Sequence, residues 1–208
     1  MKKLLSIIAF IAFAGVAIAQ TPEEIISRME AEMAKHDEKE GLAMTMDMKI
    51  PILGTFSSRT YTLGDKYRIE ITEDGKQSIT WSDGQTDWNY DSEKNEIEIK
   101  KHEVKEKTET EGDAKMFSGI TDGYDVKLDK ETSDSWQFLC KRSKSNPDKD
   151  APKKMTLIVA KGTYMPISLS AKVSAITITM RDLSYGVTEE QVTFNPKNYP
   201  TATIVDKR

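Results

Sequence analysis

The chain has 208 residues, with 30 Lys and Arg set against 34 Asp and Glu, a formal net charge of −4, and a single cysteine. Interspersed charges leave no basic footprint for nucleic acid, and one cysteine excludes an intramolecular disulfide. A chain of this length makes one domain or at most two, with volume enough for a real core held by packing alone.

Lys2 and Lys3 precede an apolar run from Leu4 to Ile18, and Ala17-Ile18-Ala19 offers small residues for cleavage. That pattern predicts a secretory signal peptide over 1–19 with no lipid-accepting cysteine at its end. Residues 20–208 are then expected as one soluble, exported domain. Thr21, Pro22 and Glu24 form a helix start: a cap, a first-turn proline and a capping-box glutamate. Ile25, Met29 and Met33, with Ile26 beside them, give a helix over 21–35 one apolar stripe, which needs a sheet or groove to lie on.

After Gly41 the period changes to two. Leu42, Met44, Met46, Met48 and Ile50 alternate with Ala43, Thr45, Asp47 and Lys49, as in a half-buried strand. Three methionines on one strand face are unusual, because β-branched residues pack better there. Unbranched, polarizable methionine suits a surface that must fit chains of varying shape, although plain core filling explains it equally well. Further strands are predicted at 55–63, 66–72, 77–81, 86–90 and 96–100. Asp83-Gly84 reads as a two-residue hairpin turn, which would set Ile79 opposite Trp88 and place Ile79, Trp81, Trp88 and Tyr90 on one face. A loop one residue longer would split that cluster. On the bare sequence this face, too, reads as ordinary core.

Residues 101–115 are charged and read as a solvated connection or a frayed helix, followed by the short apolar patch Met116, Phe117 and Ile120. Strand signals resume at 124–128, 136–141, 155–160, 165–173, 175–183, 192–194 and 203–205, interrupted by a polar loop over 143–154. About ten mostly antiparallel strands without crossover helices argue for a sheet that curls.

Residues for chemistry are missing. His36 and His102 stand in polar segments far apart and read as surface residues. Cys140 alternates with Trp136 and Phe138, as a buried strand residue would, and no nucleophile motif surrounds it. There is no Gly-rich phosphate loop and no G-x-S-x-G elbow, so no catalytic residue, cofactor or metal site is expected.

The order of features from the capped helix and Gly41-Leu42, through Ser82-Asp83-Gly84-Gln85-Thr86-x-Trp88-x-Tyr90-Asp91, to Trp136-Gln137-Phe138, the 177–183 strand, Phe194-x-Pro196 and Val205-Asp206 resembles the periplasmic outer-membrane lipoprotein carrier family of Gram-negative bacteria. The resemblance implies a mainly β (α+β) fold, an unclosed, strongly curved antiparallel β half-barrel covered by helices. It also implies a non-enzymatic carrier that shields lipoprotein acyl chains in an apolar cavity. The candidate lining is Met29, Met33, Met44, Met46, Met48, Ile69, Ile79, Trp81, Trp88, Tyr90, Ile176 and Ile178. Implied partners are acylated lipoproteins or other lipids, an inner-membrane releasing complex and an outer-membrane acceptor, with the carrier itself a monomer in the periplasm. A lipid or lipoprotein sensor on the same fold, without a transport role, stays open. The family's basic residue beside a proline, before the strand matching 67–71, has no counterpart in Leu63-Gly64-Asp65-Lys66, so that residue and the energy-coupled handover tied to it are not carried over.

Overall fold

The structure, a computed structural model, describes residues 20–36, 39–103 and 119–208. The expected leader over 1–19 and the apolar pair Met116-Phe117 lie outside the described residues. Helix α1 (Pro22–Met33) begins as its sequence dictates. The Thr21 hydroxyl accepts from the Glu24 amide at 3.2 Å, and the Glu24 carboxylate accepts from the Thr21 amide at 3.1 Å. These two bonds satisfy donors that a helix N-terminus otherwise leaves unpaired.

The strands are β1 (Leu42–Ile50), β2 (Gly54–Leu63), β3 (Lys66–Glu73), β4 (Lys76–Ser82), β5 (Thr86–Asp91), β6 (Glu96–Lys101), β7 (Tyr124–Glu131), β8 (Ser135–Arg142), β9 (Lys154–Ala160), β10 (Pro166–Val173), β11 (Ile176–Tyr185) and β12 (Thr203–Asp206). Between β11 and β12 come the short helix α2 (Glu189–Val192) and a 3₁₀ turn (Pro196–Asn198). The strands form one sheet in the order β12-β6-β5-β4-β3-β2-β1-β11-β10-β9-β8-β7.

Residues directly opposed in a ladder share a face, so faces can be followed across the sheet. Met46 lies opposite Met180 on one side and Ser58 on the other; Ser58 faces Ile71, Ile71 faces Ser78, and Ser78 faces Asp91. The face that carries the β1 methionines is therefore the Ser78 and Asp91 face of the β4–β5 hairpin. Ile79, Trp81, Trp88 and Tyr90 point the other way. On the methionine face, α1 seals Ile25, Ile26, Met29 and Met33 against Trp136, Phe138, Cys140, Met155, Leu157, Val159 and Leu169 of β8–β10. On the tryptophan face, the C-terminal segment lays Phe194 and Tyr199 over Trp81, Trp88 and Tyr90, with ring centroids 4.6–5.6 Å apart.

Two expectations are corrected. The sheet is not the strongly curved antiparallel half-barrel covered by helices that the resemblance implies. It is an open, mixed twelve-stranded sheet, neither closed nor strongly curled, and β12 pairs in parallel with β6. Strong curvature gives a sheet one concave side to bury, whereas here the buried side changes between the two ends. The second correction concerns the β4–β5 turn. The Asp83 carboxylate accepts from the amides of Gln85 (2.9 Å) and Thr86 (2.7 Å), and four residues, 83–86, separate the paired Ser82 and Asp87. Trp81 then lies opposite Trp88, and Ile79 opposite Tyr90 instead of Trp88. A displacement of two residues keeps the parity, so the four apolar side chains still share a face.

Gly41, at φ +65, enters β1 where an added Cβ would stand 2.4 Å from the Thr62 carbonyl oxygen and 2.8 Å from Val187 Cβ. Gly41→Ala is expected to destabilise the protein by about 1–3 kcal/mol through overpacking, with strain from the left-handed backbone added. Gly64→Ala, at φ +58 with open space around it, should suffer the backbone strain alone. Urea unfolding of the two variants beside the parent measures the difference.

Candidate functional site

The twelve candidate lining residues divide between the two faces. Met29 and Met33 are sealed under α1, and Met44 is buried on β1. Met46, Met48, Ile69, Ile176 and Ile178 are half-buried on the same methionine face. Ile79 and Trp81 are buried, and Trp88 and Tyr90 half-buried, on the opposite face beneath Phe194 and Tyr199. No single wall holds all twelve.

What the structure brings together on the methionine face is an apolar strip across β10, β11 and β1, with Phe56 of β2 beside it. Met48 lies between Ile178 and Phe56, and Met46 between Met180 and Ser58. Beyond them, Ile178 is opposite Ala171 and Met180 is opposite Leu169, which belongs to the core under α1. In the other direction Ser58 and Thr60 of β2 stand between the β1 methionines and Ile69 and the exposed Ile71 on β3. Met46, Met48, Phe56, Ile69, Ile176, Ile178 and Met180 are half-buried, unlike the sealed core they adjoin. Phe56 and Met180 were missed in the sequence reading. Their cross-strand neighbours Met48 and Met46 were visible, but the pairing of β1 with β11, more than a hundred residues away, was not.

Directly behind the strip, the Asp47 carboxylate accepts from Arg181 Nε at 2.6 Å and from the Ser57 hydroxyl at 2.6 Å. The Arg181 hydrogen bond is the main reason the Asp47 carboxyl is held below the usual carboxylate range. This ion pair ties β1 to β11, and the serine ties β1 to β2, so the backbone under Met46 and Met48 is fixed from the polar side.

His102 is not the bare surface residue its sequence context suggested. Its Nδ1 lies 2.8 Å from Asp87 Oδ1 and 3.2 Å from Ser82 Oγ, and its ring meets Tyr67 edge-on at 6.2 Å. Ser, His and Asp are thus adjacent, yet both contacts fall on the same ring nitrogen. A relay needs the carboxylate on one nitrogen and the nucleophile on the other. Ser82 is also only 1% exposed. The cluster locks the start of the β4–β5 turn. His36 likewise is engaged, with Nδ1 2.8 Å from Glu40 and its ring stacked on Tyr185 at 3.9 Å.

Among the described residues, no group of three or more His, Cys, Asp or Glu side chains is placed to hold a metal ion. A cavity of ≈ 560 Å³ is present, but it is lined by residues of 142–177 and shares none with the twelve.

No family model and no curated protein matches the chain. Solved structures do. The Mycobacterium tuberculosis lipoprotein LppX matches with 10% identity over 81% of this chain and 98% of its own, at a TM-score of 0.53. An uncharacterized conserved protein from Thermus thermophilus matches with 17% identity over 90% of this chain and 100% of its own, at 0.44. A LolA superfamily protein from Nitrosomonas europaea matches with 9% identity over 86% and 100%, at 0.34. The likeness is distant and holds at the level of the fold, carried by LppX; it does not single out one specific carrier family.

Cys140 is 0% exposed, and burial pushes its thiol up to about 11. Alkylation by iodoacetamide at pH 8 should therefore leave the native protein unmodified and label it fully in denaturant, as read by intact mass. Rapid labelling of the native protein would show that the core under α1 is open.

Proposed function

We propose that this protein is an exported carrier that shields acyl chains of lipoproteins, or of other lipids, on the methionine face of its sheet. The lining narrows to Met46, Met48, Ile69, Ile176 and Ile178, with Phe56 and Met180 added from the strand pairing. Met29 and Met33 belong to the packed core under α1, and Met44 is buried on β1. Ile79, Trp81, Trp88 and Tyr90 belong to the separate core on the other face. Donor and acceptor partners at the inner and outer membranes belong to the same reading.

The observation that supports it is the strip itself: unbranched or apolar side chains on neighbouring strands, half-buried and continuous with a sealed core. An acyl chain leaving water gains about 0.8 kcal/mol per buried methylene, so such a carrier needs apolar area far more than directional contacts. Methionine supplies that area in a form that adapts to the bound chain. The fold is shared with LppX, a lipoprotein by name.

The test compares two methionines of one strand face, one sealed and one on the strip. Met44→Ala should cost about 2–5 kcal/mol, as a buried methionine does, whereas Met46→Ala should cost about 1 kcal/mol or less. Met46→Glu should stay folded and lose displacement of a fluorescent fatty-acyl probe, because the carboxylate is hydrated at the strip's open side but blocks an apolar guest. The reading fails if the parent never binds the probe, or if Met46→Ala melts as far below the parent as Met44→Ala.

A further inference from the structure

The ≈ 560 Å³ cavity lies where the 143–153 loop folds against β9, β10 and the start of β11. Its charged lining is Arg142, Lys149, Lys153, Lys154 and Lys172 against Asp150 alone, in a chain whose formal net charge is −4. The hydroxyl-bearing residues Thr156, Ser170 and Thr177 complete its polar wall.

The strand register makes this concentration of charge sharper. Lys141 lies directly opposite Lys154, and Lys172 follows Ala171, which lies opposite Met155, so it stands beside Lys154. Thr177 separates Lys172 from Lys49 on the next two strands. Lysines thus form one row across β8, β9, β10 and β1, on the face away from the methionine strip. Only Asp125, opposite Lys141 at the sheet edge, offers a facing carboxylate in that row. Like charges directly opposed in a ladder are destabilising, so such a row calls for a counter-charge.

The loop is held in shape by donors turned toward its own backbone. Arg142 Nη1 donates to the carbonyls of Lys149 and Ala151, and Lys149 Nζ donates to the Asn146 carbonyl at 2.5 Å. Lys153, Lys154 and Lys172 have no ion-pair partner among the described residues.

We propose that this cavity is a binding site for a phosphate-bearing ligand. A singly charged carboxylate would leave most of the lining charge uncompensated. A phosphate group offers up to two negative charges and several acceptor oxygens, which the ammonium groups of Lys153, Lys154 and Lys172 and neighbouring hydroxyls can serve together. The volume suits a small organic phosphate or a lipid headgroup. The site stands independently of acyl binding on the opposite face, and loss of probe binding there leaves it untouched.

The test uses the full chain, titrated with pyrophosphate against sodium chloride at matched ionic strength, alongside co-flotation with phosphatidylglycerol vesicles. Two variants accompany the parent: Lys154→Ala/Lys172→Ala, and Lys130→Ala on the exposed edge strand as a control. Affinity in whichever arm binds should fall at least about tenfold in the double variant, from the loss of two charge-assisted contacts, and stay unchanged in the control. In chloride alone the double variant should melt no lower than the parent, because the lysine row is relieved. If it does melt lower, Lys172→Gln carries the affinity test in its place. Pyrophosphate binding identifies a soluble phosphate as the ligand, and flotation without pyrophosphate binding identifies a headgroup. The proposal is overturned if the parent binds in neither arm, or if the lysine variant binds as the parent does.

Discussion

From β1 to β5 the ladder runs without a register shift, so the face of every side chain in those strands is fixed by its parity. That constraint governs the rest of the molecule. The methionines of β1 and the tryptophans of the β4–β5 hairpin have opposite parity and cannot meet, however rich in apolar residues the sheet is. Each therefore needs its own cover. The N-terminal helix serves one end on one face, and the C-terminal segment serves the other end on the other face. Between the two covers, on the methionine side, the apolar strip is left half-buried.

The same division explains why the sheet stays open. Its outer strands are β7, whose residues Lys127, Asp129, Lys130 and Glu131 are exposed and charged, and β12, only four residues long. Charged and short edges discourage further strand pairing, and the two ends of the sheet do not join each other. The polar reverse side of the central strands is then free for other uses. It holds the Asp47–Arg181 pair, set diagonally across β1 and β11, and the lysine row, which crosses β1 two residues further along at Lys49.

Much of this was legible in local sequence. The helix start followed from Thr21, Pro22 and Glu24, and the strand over 42–50 from its strict alternation. The shared face of Ile79, Trp81, Trp88 and Tyr90 also emerged, although the turn proved two residues longer than Asp83-Gly84 suggested, because the Asp83 side chain bonds the two amides that follow. The global placement was not legible. Alternation gives each strand two faces but does not say which face of one strand adjoins which face of the next; only the pairing register does. Hence one cavity was expected where two separate apolar surfaces exist. The parallel β6–β12 pairing, the partnership of His102 with Asp87 and the lysine row likewise depend on long-range pairing that periodicity does not reveal.

The division of faces, with acyl binding confined to one of them, can be observed directly by NMR. The protein would be labelled at methionine methyl groups and tryptophan indole N–H groups and titrated with a soluble fatty acid. The methyl signals of Met46, Met48 and Met180 should shift together with the added ligand, while the indole signals of Trp81 and Trp88, on the opposite face, stay in place. Shifts at Trp81 and Trp88 with the three methionine methyls unmoved would contradict the account.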